Sequence, residues 1–303
     1  MVITEFIFAI AVTLALFVAL ASLSVLAPVG VVVAPLPVLY FYSRMGRYRG
    51  LLYVALTLVF VFWLLTSLDV PVPASYFFIF GSLGLVLSEV LRLDLSIEKT
   101  VLISAAALLA LVMAALSWHG ASDGGSLSFF VEDHVARTVR ENIEFYAGTG
   151  APAAHVEMIR GKEAQMTALL LGIMPSLVVT GCAATVWISL LAGAILFRKR
   201  NMWYPDFGDL SRWKLPDGIV WGVLITFAVA LIPWRAMLFV GMNGLIILLF
   251  LYMLQGFAVI AYFFQGLHPY CMVASVRGRG SCDLVPCPGS GGEEPEVLYC
   301  PYL

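Results

Sequence analysis

The sequence predicts an all-α, polytopic transmembrane helix bundle with about eight spans. Of its 303 residues, 61% are hydrophobic and only 12% are charged, and the mean hydropathy is +0.97. Charge this sparse leaves too little polar surface to cover a water-soluble domain. The apolar residues also form long runs, and about 20 of them in a helix cross a hydrocarbon core of about 30 Å. We therefore assign residues 1–265 to an integral membrane domain.

Eight apolar segments follow one another along the chain. The first lacks a basic leader and is too long for the core of a signal peptide, so we expect it to remain a membrane helix. The second is short and contains Pro35 and Pro37, which favours a kinked or partly re-entrant span. The sixth exceeds the length a bilayer needs, so we expect it to project from the membrane or to bend at Pro175. The segments are approximately residues 4–26, 29–42, 50–68, 73–91, 99–118, 166–197, 217–240 and 243–264.

The positive charges between the spans predict a cytoplasmic N-terminus. In that orientation the clusters RMGRYR at residues 44–49 and RKR at residues 198–200 lie in inner loops, together with Arg92 and Lys99. The opposite orientation would place both clusters outside, against the positive-inside rule. We therefore predict a multi-pass protein of the cell inner (plasma) membrane. The net charge of −2 and the lack of a basic stripe argue against a nucleic-acid partner.

Residues 119–165 form a polar connection that we predict to be an outer amphipathic helical segment. Apolar side chains recur every fourth residue from Leu127 to Ile143, which places them on one helical face. A break at residues 148–152 precedes a second helical stretch. Two interpretations remain open: a lid over an outward-facing cavity, or a helical hairpin on the membrane surface.

No catalytic or cofactor-binding pattern is recognisable. The chain contains no GxxxxGK[ST], HExxH or CxxC motif, so we predict no enzymatic activity, no ATP hydrolysis and no cofactor. His119, His134 and His155 all fall in the outer segment, but their spacings match no zinc pattern. We therefore predict no metal site.

Polar groups inside the spans are few and are candidates for function. Glu89 is near the inner end of the fourth span, where Arg92 is one turn away and can pair with it. Asn243 and Gln255 both lie on the eighth span, and their spacing puts them on one helical face. They either line a cavity or bond a neighbouring helix.

Small residues form ridges on three spans. Such ridges let helices approach closely, so they serve either internal packing or the docking of another membrane protein. They are Ala11, Ala15 and Ala19 on the first span, Gly81, Gly84 and Ser88 on the fourth, and Gly181 with Ala184 on the sixth.

Residues 266–303 differ in character from the rest of the chain. Their abundance of Gly, Pro and Ser predicts disorder, and the abrupt change raises the hypothesis of translation out of frame. Four of the five cysteines lie here without zinc spacing. Because the expected compartment is the reducing cytoplasm, we predict no disulfide framework.

The stretches WKLPDGIVWGVL at residues 213–224 and LYMLQGFAVIAYFF at residues 251–264 resemble the C-terminal half of the YybS-like membrane proteins, domain-of-unknown-function family 2232. The resemblance covers residues 1–265. That family is in turn similar to the S components of energy-coupling-factor (ECF) vitamin transporters. These six-helix proteins bind a vitamin or metal near the outer face and dock on a transmembrane coupling subunit through an AxxxA ridge on the first helix.

The resemblance implies an S-component-like six-helix core plus two extra helices, with Ala11, Ala15 and Ala19 as the partner-docking ridge. It implies a transporter subunit that captures an unidentified small molecule from the outer face and works with a coupling subunit and ATPases. No substrate-binding residues carry over, because no motif of a known vitamin specificity is present. The alternative is a non-transporting structural or assembly protein of the cell envelope. An outward-opening cavity of about 300 Å³ or more would favour ligand capture, and a packed interior would favour the scaffold.

Overall fold

A computed structural model of the chain describes residues 2–22, 33–67, 74–122, 127–205, 207, 213–266, 273–277 and 281–285. Within these ranges every element of residues 2–266 is a helix, which confirms the all-helical class. The helices are α1 Val2–Ser22, α2 Pro35–Met45, α3 Arg47–Ser67, α4 Ala74–Leu91, α5 Ile97–Ser122, α6 Leu127–Gly148, α7 Ala153–Arg160, α8 Glu163–Lys199, α9 Ile219–Ala230 and α10 Arg235–Gly266.

Four of the described helices, α3, α5, α8 and α10, are long and apolar enough to cross a membrane. Shorter apolar stretches lie in α1, α4 and α9. The chain therefore has the helices of a membrane protein, while the count of eight spans stays a prediction. The chain divides into two compact units, residues 1–208 with 216–251, and residues 209–215 with 252–303.

The short helix α2 lies at the centre of the first unit, where it contacts α1, α3, α4 and α8. It has 11 residues, or about 16 Å of length, in agreement with the short second span. Pro35 is the first residue of the helix and Pro37 also lies in its first turn. Backbone N–H groups there have no partner within the helix, so the two prolines begin α2 rather than kink it.

The N-terminal part of the long helix α8 packs against α6 and α7. It has 37 residues, or about 55 Å of length, which exceeds the thickness of a hydrocarbon core. The predicted apolar face of α6 is buried, and its Val135 and Val139 pack with Val156 of α7 against Leu170 and neighbouring residues of α8. Helices α6 and α7 are therefore held by the N-terminal part of α8.

The boundary between α9 and α10 differs from the predicted one. The seventh span was predicted to continue to residue 240, but α9 ends at Ala230 and a turn over residues 231–234 precedes α10. The reason is Pro233, which has no N–H for a helical hydrogen bond and ends the helix before it. Across this turn the backbone of α10 at Gly241 approaches Ala230 closely.

In the second unit the structure describes a β-hairpin that the composition of the tail does not predict. Strand β1 is Val273–Arg277 and β2 is Ser281–Val285, and they pair antiparallel with Val276 opposite Cys282. The other residues of 267–303, for which disorder was predicted, lie outside the described residues.

Candidate functional site: a cavity at one end of the bundle and the polar groups around it

Charged side chains bring several helix ends together at one end of the first unit. Arg44 at the end of α2 pairs with Glu5 of α1 at 3.1 Å. Arg47 at the start of α3 pairs with Glu89 of α4 at 2.8 Å. Arg92 follows α4 and lies 3.7 Å from the same carboxylate. We call this end, with Arg44, Arg47 and Arg92, the basic end. The RMGRYR cluster and Arg92, which the sequence assigns to inner loops, therefore lie on one side of the bundle.

Glu89 contacts several side chains at the basic end. Its carboxylate accepts a hydrogen bond from the Tyr42 hydroxyl of α2 and another from Arg47. The guanidinium of Arg92 lies over the ring of Tyr42, 5.2 Å from its centroid, a distance typical of cation–π contacts. One carboxylate thus connects α2, α3 and α4, and the pairing with Arg92 that the sequence predicts is present.

A cavity of about 540 Å³ lies between α3, α4 and α5, and we call it the α3–α5 cavity. Along α5 its lining runs from Leu111 to His119, three to eleven residues before that helix ends at Ser122. These positions are roughly 5 to 16 Å from the helix end. Since α5 begins at the basic end, the cavity lies in the opposite half of the bundle. The lining residues are Leu58, Val61, Phe62, Phe78, Ile79, Leu111, Ala114, Ala115, Trp118 and His119.

The first turns of α6 meet the rim of the cavity but do not line it. The imidazole of His119 stacks on the ring of Phe130 with centroids 6.4 Å apart. Phe130 in turn stacks on His134 at 6.3 Å. The two histidines therefore flank a phenylalanine ring. Helix α6 is linked to the cavity through His119, and the lid interpretation remains a prediction.

Asn243 of α10 is bonded to backbone groups of α8 on either side of Pro175. Its Oδ1 accepts from the backbone N–H of Ser176 at 2.8 Å, and its Nδ2 donates to the carbonyl of Gly172 at 2.6 Å. In a regular helix these two backbone groups pair with each other. Pro175 lies between them and has no N–H to offer to the ladder. The carboxamide therefore bonds the N–H and the carbonyl that flank the proline in α8.

The contact between α8 and α10 is close as well as polar. A side chain at Gly172 would overlap the ring of Phe239, whose carbonyl accepts a third hydrogen bond from Asn243 at 2.7 Å. Asn243 thus bonds a neighbouring helix, the second of the two interpretations considered for it. Gln255 is half-buried on the part of α10 that belongs to the second unit.

The alanine ridge of α1 faces away from the bundle. Ala11, Ala15 and Ala19 are all exposed. The opposite face of α1 is buried, with Thr13 bonded to the Tyr53 hydroxyl of α3 at 2.5 Å and Phe17 packed inside. The ridge is therefore not used for packing within the described part of the chain.

The small residues of α4 have the opposite role, because they pack inside the bundle. A methyl group added at Gly84 would lie 2.5 Å from the carbonyl oxygen of Pro35 and 2.8 Å from Val38. Ser88 is buried one turn later. Only a residue without a side chain permits α2 and α4 to approach this closely. On α8, by contrast, Gly181 faces open space.

A family model for predicted membrane proteins, DUF2232, matches residues 10–269. The chain belongs to this family. The match covers most of the integral membrane domain and ends near the start of the tail. No curated protein and no solved structure matches the chain.

In this DUF2232 protein the sequence reasoning found Glu89 and its local partner Arg92 but missed Tyr42 and Arg47. Those two residues are more than 40 positions away from Glu89, and only the fold brings them close. Among the residues that the structure describes, no group of three His, Cys, Asp or Glu side chains is arranged to hold a metal ion.

Proposed function

We propose that this DUF2232 protein is a membrane transporter subunit that resembles an ECF-type substrate-binding component and captures a small molecule in the α3–α5 cavity. The volume of the cavity supports this proposal most directly. At about 540 Å³ it falls within the roughly 300 to 1,000 Å³ of ligand pockets and exceeds the threshold that favours capture over a scaffold.

Capture would occur from the outer face of the plasma membrane. The proposed orientation has a cytoplasmic N-terminus, since Arg44, Arg47 and Arg92 share the basic end and positive charge favours the cytoplasmic side. The α3–α5 cavity is at the other end and would open outward. Helices α6 and α7 would lie on the outer side as well.

Movement of the captured molecule would require partners. The chain has no recognisable phosphate-binding motif, so energy would come from separate ATPases through a transmembrane coupling subunit. The exposed ridge of Ala11, Ala15 and Ala19 is the proposed docking surface, because small side chains let a partner helix approach closely.

The test of capture is native mass spectrometry of the purified full chain with a variant that fills the cavity. Ala115 lines the cavity and Ala106 is an exposed residue on the same helix outside the lining. We expect Ala115→Phe to lose a co-purifying small molecule at least about tenfold and Ala106→Phe to retain it. Equal occupancy in the wild type and both variants, or no bound molecule in any of them, would refute capture at this cavity.

The alternative is a structural or assembly protein of the cell envelope, and the exposed alanine ridge is the observation that favours it. Both functions predict that Ala15→Trp prevents partner docking, with Ala106→Trp as the matched control. The identity of the co-purifying proteins separates them. A coupling subunit with ATPases supports transport, whereas envelope-assembly proteins without ATPases support the scaffold. If Ala15→Trp leaves every partner in place, the ridge is not the docking surface.

A further inference from the structure

The lining of the α3–α5 cavity is almost entirely hydrocarbon. Of its ten residues, eight have side chains made only of carbon and hydrogen, and Trp118 and His119 are the other two. A polar ligand group buried among the eight would lose hydrogen bonds to water that they cannot replace, at a cost of several kcal/mol per group. The apolar lining therefore favours a ligand whose buried part is apolar.

The polarity of the lining changes with depth. His119 and Trp118 are at the shallow end, within about 6 Å of the end of α5, whereas Leu111 is about 16 Å from it. Trp is typical of the interface between headgroups and acyl chains. A ligand that matches this gradient has a polar head at the level of His119 and an apolar chain below it.

The cavity is bordered by side chains on the surface of the bundle. Phe62 is 61% exposed, Phe78 54% and Trp118 75%. Phe78 lies four residues after α4 begins at Ala74, so this border is also about one turn from the helix ends. This depth is again the boundary between headgroups and acyl chains. A ligand can therefore enter sideways from the lipid, without crossing water.

We infer that the ligand of the α3–α5 cavity is a single-chain amphiphile of the fatty-acid class, taken from the outer leaflet with its head at His119. This inference rests on the proposed capture function and names the class of molecule that is captured. A volume of about 540 Å³ suits one drug-sized molecule. The aliphatic chain fills the deep part of the cavity between Leu58 and Leu111, and the head remains in the interface.

The experiment uses the full chain reconstituted in phosphatidylcholine vesicles and two photoreactive lauric acid analogues. One carries the diazirine near the carboxylate and the other at the chain end. After irradiation, peptide mass spectrometry locates the labels. We expect the first probe to label Trp118 or His119 and the second to label the deep residues Leu58 or Leu111. Labelling should saturate with probe concentration and be competed by unlabelled lauric acid.

The two alanine variants supply the control. Ala115→Phe should reduce saturable labelling at least about tenfold, and Ala106→Phe should leave it unchanged. Label that spreads over all lipid-facing helices without saturation would mean annular lipid only and would overturn the inference. A variant that loses a polar molecule in native mass spectrometry, with no cavity labelling, would leave capture standing and refute the fatty-acid class. Absence of both labelling and a bound molecule would refute capture itself.

Discussion

Replacing Asn243 by leucine tests whether its amide compensates for the proline in α8. The change removes three hydrogen bonds, to Ser176, Gly172 and Phe239. The first two bonds join α8 and α10 and are worth about 0.6 kcal/mol each, and the third lies within α10 and is worth about 1 kcal/mol. Asn243→Leu should therefore lower the free energy of unfolding by about 2 kcal/mol, measured by equilibrium unfolding in mixed detergent and SDS micelles.

The decisive comparison is the same substitution in a Pro175→Ala background. Without the proline, the N–H of Ser176 and the carbonyl of Gly172 can pair with each other as in a regular helix. Leucine at position 243 should then cost only about 1 kcal/mol, so the two substitutions should show a coupling energy of about 1 kcal/mol. Distant, independent substitutions add within about 0.5 kcal/mol. A cost for Asn243→Leu that is unchanged in the Pro175→Ala protein would refute the compensation.

Two further predictions concern packing and orientation. Gly84→Ala should destabilise the protein by about 1 to 3 kcal/mol, because the added methyl group overpacks the contact with α2. Gly181 faces open space, so Gly181→Ala should be neutral or stabilising by up to about 1 kcal/mol. Similar unfolding curves for both variants would contradict the packing of α4 against α2. In a cysteine-free background, Tyr48→Cys near the basic end, where the side chain is 90% exposed, should react with an impermeant maleimide only after cells are opened. Phe145→Cys on α6, 76% exposed in the native protein, should react in intact cells; the reverse pattern would show that the proposed orientation is inverted.

Much of the helical architecture follows from local features of the sequence. The four-residue period from Leu127 to Ile143 predicts the buried face of α6, because a helix that packs on one side repeats its apolar residues at that interval. The end of α9 could also have been predicted, since Pro233 is a helix breaker in the middle of the assumed span. Local signals of this kind require no knowledge of the tertiary fold.

The candidate site depends on contacts that local signals do not contain. The α3–α5 cavity is a space between three helices that their side chains leave unfilled. The spacing of apolar residues in the sequence does not indicate such a space. The partnership of Asn243 with α8 had a weak signal, namely a proline in one apolar span and a carboxamide in another. Because many helices could supply such a carboxamide, the sequence alone does not identify the pair.

The central position of α2 has a consequence for biogenesis. The ribosome synthesises α2 before three of the four helices that surround it, and its 11 residues are too few to anchor stably in a bilayer alone. The nascent helix must therefore wait at the insertion machinery or the membrane interface until α3, α4 and α8 have been made. The core around α2 is therefore completed only after the later helices have been inserted. In chains truncated before α8, α2 would lack a packing partner and would be exposed to quality-control proteases.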